Sequence, residues 1–274
     1  MKQLFLIFLI SVALHQLAAW AEDGVTRDDL KSELVQSKVS TAAEASPTLS
    51  REASEILTRM SEFISAAPAF TLVSETGSEV LQKNGQLLEV GSLLTLAIKR
   101  PSLANGRFVS RVGDSATTTL DGEAIWVYSA NESVYDTTRQ PGDIETSLDI
   151  MAKQLGAPRQ LFDFFLKDLT ASLTVAVKSG FYVGESMISG VLCDHLALRG
   201  EEVDVQVWIA RGDEPVPRRI VITHREVDRQ PRFWAQFISW DLSPDLSDTS
   251  FTFSPPEGAM RIRFFVDMPL EESE

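Results

Sequence analysis

The residues best equipped for chemistry lie between Gly190 and His224: His195, Asp204, Gln206, Trp208 and the lone cysteine, Cys193. Two apolar-alternating runs flank Arg199-Gly200-Glu201-Glu202, and a Gly-X centre suits a two-residue hairpin turn with positive φ at Gly200. That register sets Leu198 opposite Val203, Leu196 opposite Val205 and Asp194 opposite Val207. Successive side chains point to opposite faces of a sheet. Leu196, Leu198, Val203, Val205 and Val207 therefore share a face that wants a hydrophobic interior. Cys193, His195, Ala197, Asp204, Gln206 and Trp208 share the other. His195 falls opposite Gln206 and diagonal to Asp204 and Trp208, within cross-strand reach. A carboxylate can fix an imidazole tautomer, so one reading makes Asp204 the orienting partner of a general base, His195. The other reading is a cross-strand hydrogen-bonded set. It is favoured because the chain shows no serine nucleophile motif and no third partner at defined spacing.

Other chemistries find less support. There is no phosphate-binding glycine loop, no Gly-x-Ser-x-Gly elbow and no internal repeat. Beyond residue 21 only His195, His224 and Cys193 offer nitrogen or sulfur ligands, so neither a zinc site nor any other cofactor is expected. Cys193 as a nucleophile is weighed against the commoner role of a small buried hydrophobe. One cysteine makes no internal disulfide, so a chain of this length must rely on its core.

The elements that position these residues start after a leader. Lys2, the apolar run Leu4 to Leu14 and Ala19-Trp20-Ala21 have the layout of a secretory signal peptide with an A-x-A cleavage site. The run is shorter than the ~20 residues of a spanning helix. No later segment is apolar enough to span a bilayer, so the mature chain is expected to be soluble. Loss of Lys2 with the leader takes the net charge from −14 to −15. An acidic surface disfavours nucleic acid and anionic lipid surfaces as partners. Residues 22–46 read as a flexible polar leader, with a weakly formed helix from Asp28 to Val39. Residues 47–265 read as one domain and 266–274 as an acidic tail.

Within the domain, Pro47 to Ala66 is predicted helical. Leu49, Ala53, Ile56, Leu57, Met60, Phe63 and Ile64 recur at three- and four-residue spacing. From Ala69 the period changes to two. Strands are expected around Phe70 to Leu72, Leu94 to Ile98, Arg107 to Val112, Ile125 to Tyr128, Leu173 to Val177, Gly180 to Ile188, Arg218 to His224, Phe233 to Trp240 and Phe251 to Phe253. Short turns between them imply an antiparallel meander. Two helices interrupt it, one from Ile144 to Leu155 and one from Pro158 carrying Leu161, Phe162, Phe165 and Leu166. The fold class is α+β: a single domain with a curved antiparallel sheet and helices over its concave face.

Arg100-Pro101, Asp121-Gly122, Cys193-Asp194-His195-Leu196, Asp204-Val205-Gln206-Val207-Trp208-Ile209, Pro215-Val216-Pro217-Arg218-Arg219, Ile220-Val221-Ile222-Thr223 and Phe251-Thr252-Phe253-Ser254-Pro255-Pro256 form an ordered set. On these residues the chain resembles the predicted periplasmic proteins of domain of unknown function 2092, over roughly Leu49 to Phe265. His224 stands where that family is expected to have Tyr. The family is similar to the lipoprotein carriers LolA and LolB and to the sensor domain of RseB. The resemblance implies an incomplete antiparallel barrel, a periplasmic location and no established activity or catalytic residues.

Three functions are weighed on this basis. The first is binding of a lipidic or other apolar molecule in a half-barrel cavity. Leu94, Leu96, Ile98, Val205 and Val207 would form its wall, with Trp126 and the Trp234/Trp240 pair at its entrance. A filled core without a cavity is the alternative for the same residues. The second is an envelope sensor or interaction module that engages another protein through a sheet edge or the acidic leader. The third is a hydrolase using His195 and Asp204.

Overall fold

The computed structural model describes residues 48–155 and 177–263. The signal sequence, the polar leader with its Asp28 to Val39 helix, the helix expected from Pro158, the start of the Leu173 strand and the acidic tail lie outside the described residues.

Helix α1 (Arg51–Ala66) starts four residues later than the sequence period suggests. Ser50 is its N-cap: the Ala53 N–H donates to Ser50 Oγ at 3.3 Å, satisfying one of the amides a helix start leaves open. Leu49, expected in the helix, instead makes a parallel bridge to Gly180, and the Ser50 N–H donates to the Gly180 carbonyl at 2.8 Å. Ala53, Ile56, Leu57, Met60 and Ile64 form the buried face of α1.

Two meanders follow and meet at one seam. The first comprises β1 (Ala69–Leu81), β2 (Leu87–Lys99), β3 (Leu103–Ser110), β4 (Ser115–Asp121), β5 (Ala124–Ser129) and β6 (Val134–Arg139). After α2 (Ile144–Leu155) comes the second: β7 (Val177–Ile188), β8 (Val191–Gly200), β9 (Val203–Ala210), β10 (Pro217–His224) and β11 (Arg232–Asp241). β11 pairs antiparallel with β1, and β12 (Met260–Arg261) adds to β6 in parallel. The described residues thus form one open sheet in the order β12-β6-β5-β4-β3-β2-β1-β11-β10-β9-β8-β7. This is the expected antiparallel, unclosed barrel with helices on one face.

Alternation divides the sheet into two faces. Phe70, Leu72, Leu94, Leu96, Ile98, Leu196, Leu198, Val207, Ile220, Ile222 and Phe237 point inward and pack with α1 and α2 into one core. The sheet curls at its second end. Gln236 Nε2 on β11 donates to Ser189 Oγ in the β7–β8 turn at 2.9 Å. Three strand spacings would put them about 14 Å apart in a flat sheet.

The C-terminal segment departs from the expected strand. Phe251 closes a 3-10 turn, Asp248–Phe251, and is buried. Phe253 packs on the outer face against Trp126, Tyr128 and Tyr135, with ring centroids 5.5, 5.6 and 6.3 Å away. Proline at positions 255 and 256 offers no N–H to a ladder, which keeps this stretch out of the sheet.

Candidate functional site

The β8–β9 hairpin keeps its predicted faces but not its predicted pairs. Its two-residue turn is Glu201-Glu202 rather than Gly200-Glu201, and Gly200 is outside the positive-φ region. Arg225, at the end of β10, holds the turn in place. Its Nη2 donates to the Gly200 carbonyl at 2.9 Å and also to that of Glu201, while its N–H donates to the Glu202 carbonyl. Moving the turn by one residue changes every partner by two, so side chains stay on their faces. Leu196 now faces Val207, Leu198 faces Val205 and His195 faces Trp208.

That shift separates His195 from Asp204. The imidazole stacks on the Trp208 ring at 4.1 Å and 11°. Its Nε2 donates to Gln206 Oε1 at 3.1 Å, on the diagonal. Asp204 lies opposite Arg199 and accepts a two-pronged pair from it, at 2.7 and 2.8 Å, with Arg225 Nε at 3.4 Å on the other side. Burial pushes the His195 pKa below its ordinary value, only partly offset by the bond to Gln206. Burial likewise raises the Cys193 thiol, which disfavours the thiolate a nucleophile needs. The geometry is that of the cross-strand set, and among the described residues no carboxylate orients the imidazole.

A charged cluster on the other face escaped the sequence reading. Asp194 shares the inner face with Leu196 and Leu198 and is buried. Arg59 Nη2, from α1, lies 3.1 Å from its Oδ2, and Arg211 Nε lies 3.3 Å from its Oδ1. Tyr182 Oη donates to Oδ1 at 3.3 Å. Burial and this carboxylate raise the tyrosine pKa. Arg211 also pairs with Glu185. The available signal was the parity of Asp194: a carboxylate in phase with an apolar stripe needs buried partners.

The apolar space lies elsewhere on the inner face, between α2 and strands β2 to β4. It is a cavity of about 40 Å³. Leu96 and Ile98 of β2, with Ala104, Gly106 and Phe108 of β3, make one wall. Thr118 and Leu120 of β4 continue that wall, and Ile144, Leu148 and Met151 of α2 face it. The three α2 residues follow the four- and three-residue spacing of one helix face. Asp143 caps this helix, its Oδ1 accepting from the Thr146 N–H at 2.9 Å and the Thr146 hydroxyl at 2.6 Å. The Ile144 N–H donates to the Pro101 carbonyl at 3.0 Å, tying the helix start to the β2–β3 connection.

Of the residues expected to line a cavity, Leu96 and Ile98 do so. Leu94 is fully buried in the core beside them, and Val207 is core beneath the second meander. Val205 packs against that core, also away from the cavity. Trp126 is on the opposite face, where its Nε1 donates to Asp121 Oδ2 at 2.8 Å. Trp240 is an inner-face residue against Phe70 and Phe237, while Trp234 lies on the outer face over Gly77. The two tryptophans therefore form no common entrance. Among the described residues, no helix is long and apolar enough to cross a membrane.

Residues 53–265 match the family model described as "Predicted periplasmic protein (DUF2092)". The chain belongs to this family. Solved structures with a similar course include LprF from Mycobacterium bovis, at 15% identity and a TM-score of 0.43, covering 77% of this chain and 99% of that one. The lipoprotein LppX from Mycobacterium tuberculosis is similar at 12% identity and a TM-score of 0.41, covering 72% and 100%. A LolA superfamily protein from Nitrosomonas europaea is similar at 14% identity and a TM-score of 0.35, covering 73% and 96%. No curated protein matches the sequence.

Proposed function

We propose that this DUF2092 protein is exported by cleavage after Ala21 and binds the hydrocarbon part of a lipidic or other apolar molecule in the periplasm. The observation that carries this reading is the cavity beneath α2. Among the described residues its wall has a single polar side chain, Thr118, and no charged one. Such a wall suits a ligand whose buried part makes no hydrogen bonds, since an unpaired polar group there would lose its hydration without compensation. At about 40 Å³ the space is far below the ~300 Å³ at which small-ligand pockets begin. Entry therefore requires α2 to move away from the sheet. Met151 in the wall favours such repacking, because an unbranched thioether side chain fills irregular gaps.

The test is native mass spectrometry of the mature protein purified gently from its own periplasm, followed by organic extraction. A near-stoichiometric mass increment that yields an extractable apolar molecule supports the reading and names the ligand class. A mass equal to that of the bare chain, with nothing extractable, removes it.

A second reading has its own observation. Beyond Gly180, where Leu49 bridges it, β7 is an edge strand of the described sheet, and Phe181, Val183, Met187 and Leu192 are exposed on it and its neighbour β8. An edge of this kind can add an extended segment of a partner protein. A bare mass combined with a co-purifying envelope protein would move the assignment to this role.

A further inference from the structure

Three strand glycines of this protein, Gly77, Gly91 and Gly180, sit where a neighbour fills the space of a side chain. A Cβ on Gly77 would sit 2.4 Å from Trp234 Nε1, and one on Gly91 would sit 2.7 Å from the Arg111 guanidinium. A Cβ on Gly180 would sit 2.7 Å from Leu198 Cδ2. Each would force something to shift. Gly106 is different. It lies on the inner face of β3, between Leu96 of β2 and Thr118 of β4. Its φ is outside the positive region, so its backbone conformation is open to any residue. A Cβ there would meet Leu96 Cδ1 at 3.6 Å and Phe108 Cε2 at 4.0 Å, ordinary van der Waals contact.

A glycine inside a strand weakens it, having no side chain to pack and more freedom to lose. At position 106 the fold gains nothing visible in return. The cavity does, because Gly106 forms part of its wall. We infer that Gly106 is a specificity-determining residue. Its missing side chain keeps open a narrow slot for an unbranched acyl chain lying between β3 and α2. The inference rests on the apolar-binding reading above and deepens it.

The ligand class follows from the shape and chemistry of the wall. A space of about 40 Å³ between one helix and three strands admits a thin hydrocarbon chain by a small outward shift of α2. A fused-ring molecule would need the helix to leave. Among the described residues no charged side chain lines the slot, so a headgroup stays outside.

The experiment compares the mature wild type with Gly106→Ala and Gly106→Val, using fluorescence titration and thermal melting. The probes are parinaric acid, a straight-chain fluorescent fatty acid, and the fluorescent sterol dehydroergosterol. The wild type is expected to bind parinaric acid and to bind the sterol more weakly. Gly106→Val is expected to melt no lower than the wild type and to bind parinaric acid at least about tenfold more weakly. Gly106→Ala is expected to fall between them. A folded Val variant that binds like the wild type overturns the slot and leaves apolar binding elsewhere intact. If the Val variant does not fold, the Ala variant decides: wild-type affinity in it overturns the slot. A preference for the sterol overturns the acyl-chain assignment. A wild type that binds neither probe overturns the apolar-binding reading itself, and this inference with it.

Discussion

Arg59 on α1 reaches Asp194 on β8 with its Nη2 at 3.1 Å from Oδ2, joining the helix to the inner face of the second meander. The two ends of the pair are unequal: the Asp194 side chain is 8% exposed and that of Arg59 50%. Removing the carboxylate takes a shared partner from Arg59, Arg211 and Tyr182 at once, although Arg211 keeps Glu185. Removing Arg59 leaves Asp194 still paired with Arg211 and hydrogen-bonded by Tyr182. Asp194→Ala is therefore expected to cost about 1.5–3 kcal/mol, the range for lost hydrogen bonds to a charged group. Arg59→Ala is expected to cost less than about 1 kcal/mol, as for exposed pairs. Urea unfolding of both variants checks this, and equal losses from the two would refute the asymmetry.

Stability should fall in two steps on acidification. Burial depresses the pKa of His195 and His224 from the ordinary 6.5, each partly offset by a neighbour, Gln206 or Glu202. A histidine with a depressed folded pKa takes up protons more readily when unfolded. Its contribution is complete above 6.5 and is lost as pH falls through its folded value. The second step belongs to carboxylates. Arg232 lowers Glu79 by a side-chain hydrogen bond, and Trp234 and Arg111 together lower Glu89, both from an ordinary 4.5. Their contribution is present above 4.5 and is lost as pH falls below it. The urea midpoint followed downward from about pH 7.5 should decline once below about 6.5 and again below about 4.5. His195→Gln with His224→Gln should flatten only the first decline. Imidazole titration midpoints at or above 6.5 by NMR would contradict the assignment.

What the sequence disclosed depended on period rather than on partners. The apolar stripe Ala53, Ile56, Leu57, Met60 and Ile64 identified α1 and its buried face, yet its start was misjudged because Leu49 continues the spacing while its backbone pairs with Gly180. In the β8–β9 hairpin, alternation assigned Leu196 and Val207 to the core whichever turn formed. The turn itself is fixed by Arg225, twenty-odd residues downstream, which no local pattern encodes. The His195–Asp204 pairing depended on that register and went with it. Of the expected cavity wall, Leu96 and Ile98 were legible as inward-facing residues. Leu148 and Met151 were legible as one helix over the open side of the sheet, but Gly106 and Thr118 were not, because a cavity is set by what facing elements leave unfilled.

Trp126 tests the difference between an entrance and a structural aromatic. Its ring packs against Phe253 and Tyr135 on the outer face, and its indole N–H is held by Asp121. Asp121 Oδ1 meanwhile accepts from the N–H groups of Glu123 and Ala124, at 2.9 and 2.7 Å, across the β4–β5 turn, where Gly122 has φ +89°. Trp126→Ala should lower stability by about 2 kcal/mol, less than the ~3–5 kcal/mol of a fully buried tryptophan. It should also increase amide exchange in residues 251–261. Parinaric acid affinity should stay at the wild-type value. Loss of affinity with unchanged stability would return Trp126 to a binding role.

Gly77 and Trp234 make the sharpest packing prediction. They face each other across β1 and β11, and Gly77 pairs with Gly91 on its other side. The indole lies over the space left by the absent side chain of Gly77, and the Arg111 guanidinium over that left by Gly91. The indole Nε1 donates to Glu89 at 3.0 Å, and Arg111 and Arg219 approach the ring at 6.0 and 5.2 Å. A methyl group on Gly77 would occupy the volume of the indole, with three ring atoms within 2.7 Å. Gly77→Ala should therefore cost about 1–3 kcal/mol, the usual range for overpacking, although alanine is otherwise the better strand residue. In a Trp234→Ala background the same change should become neutral or stabilising, because the obstructing ring is gone. A double-mutant cycle from urea midpoints measures the coupling. Simple additivity of the two losses would show that the indole does not rest on Gly77 in solution.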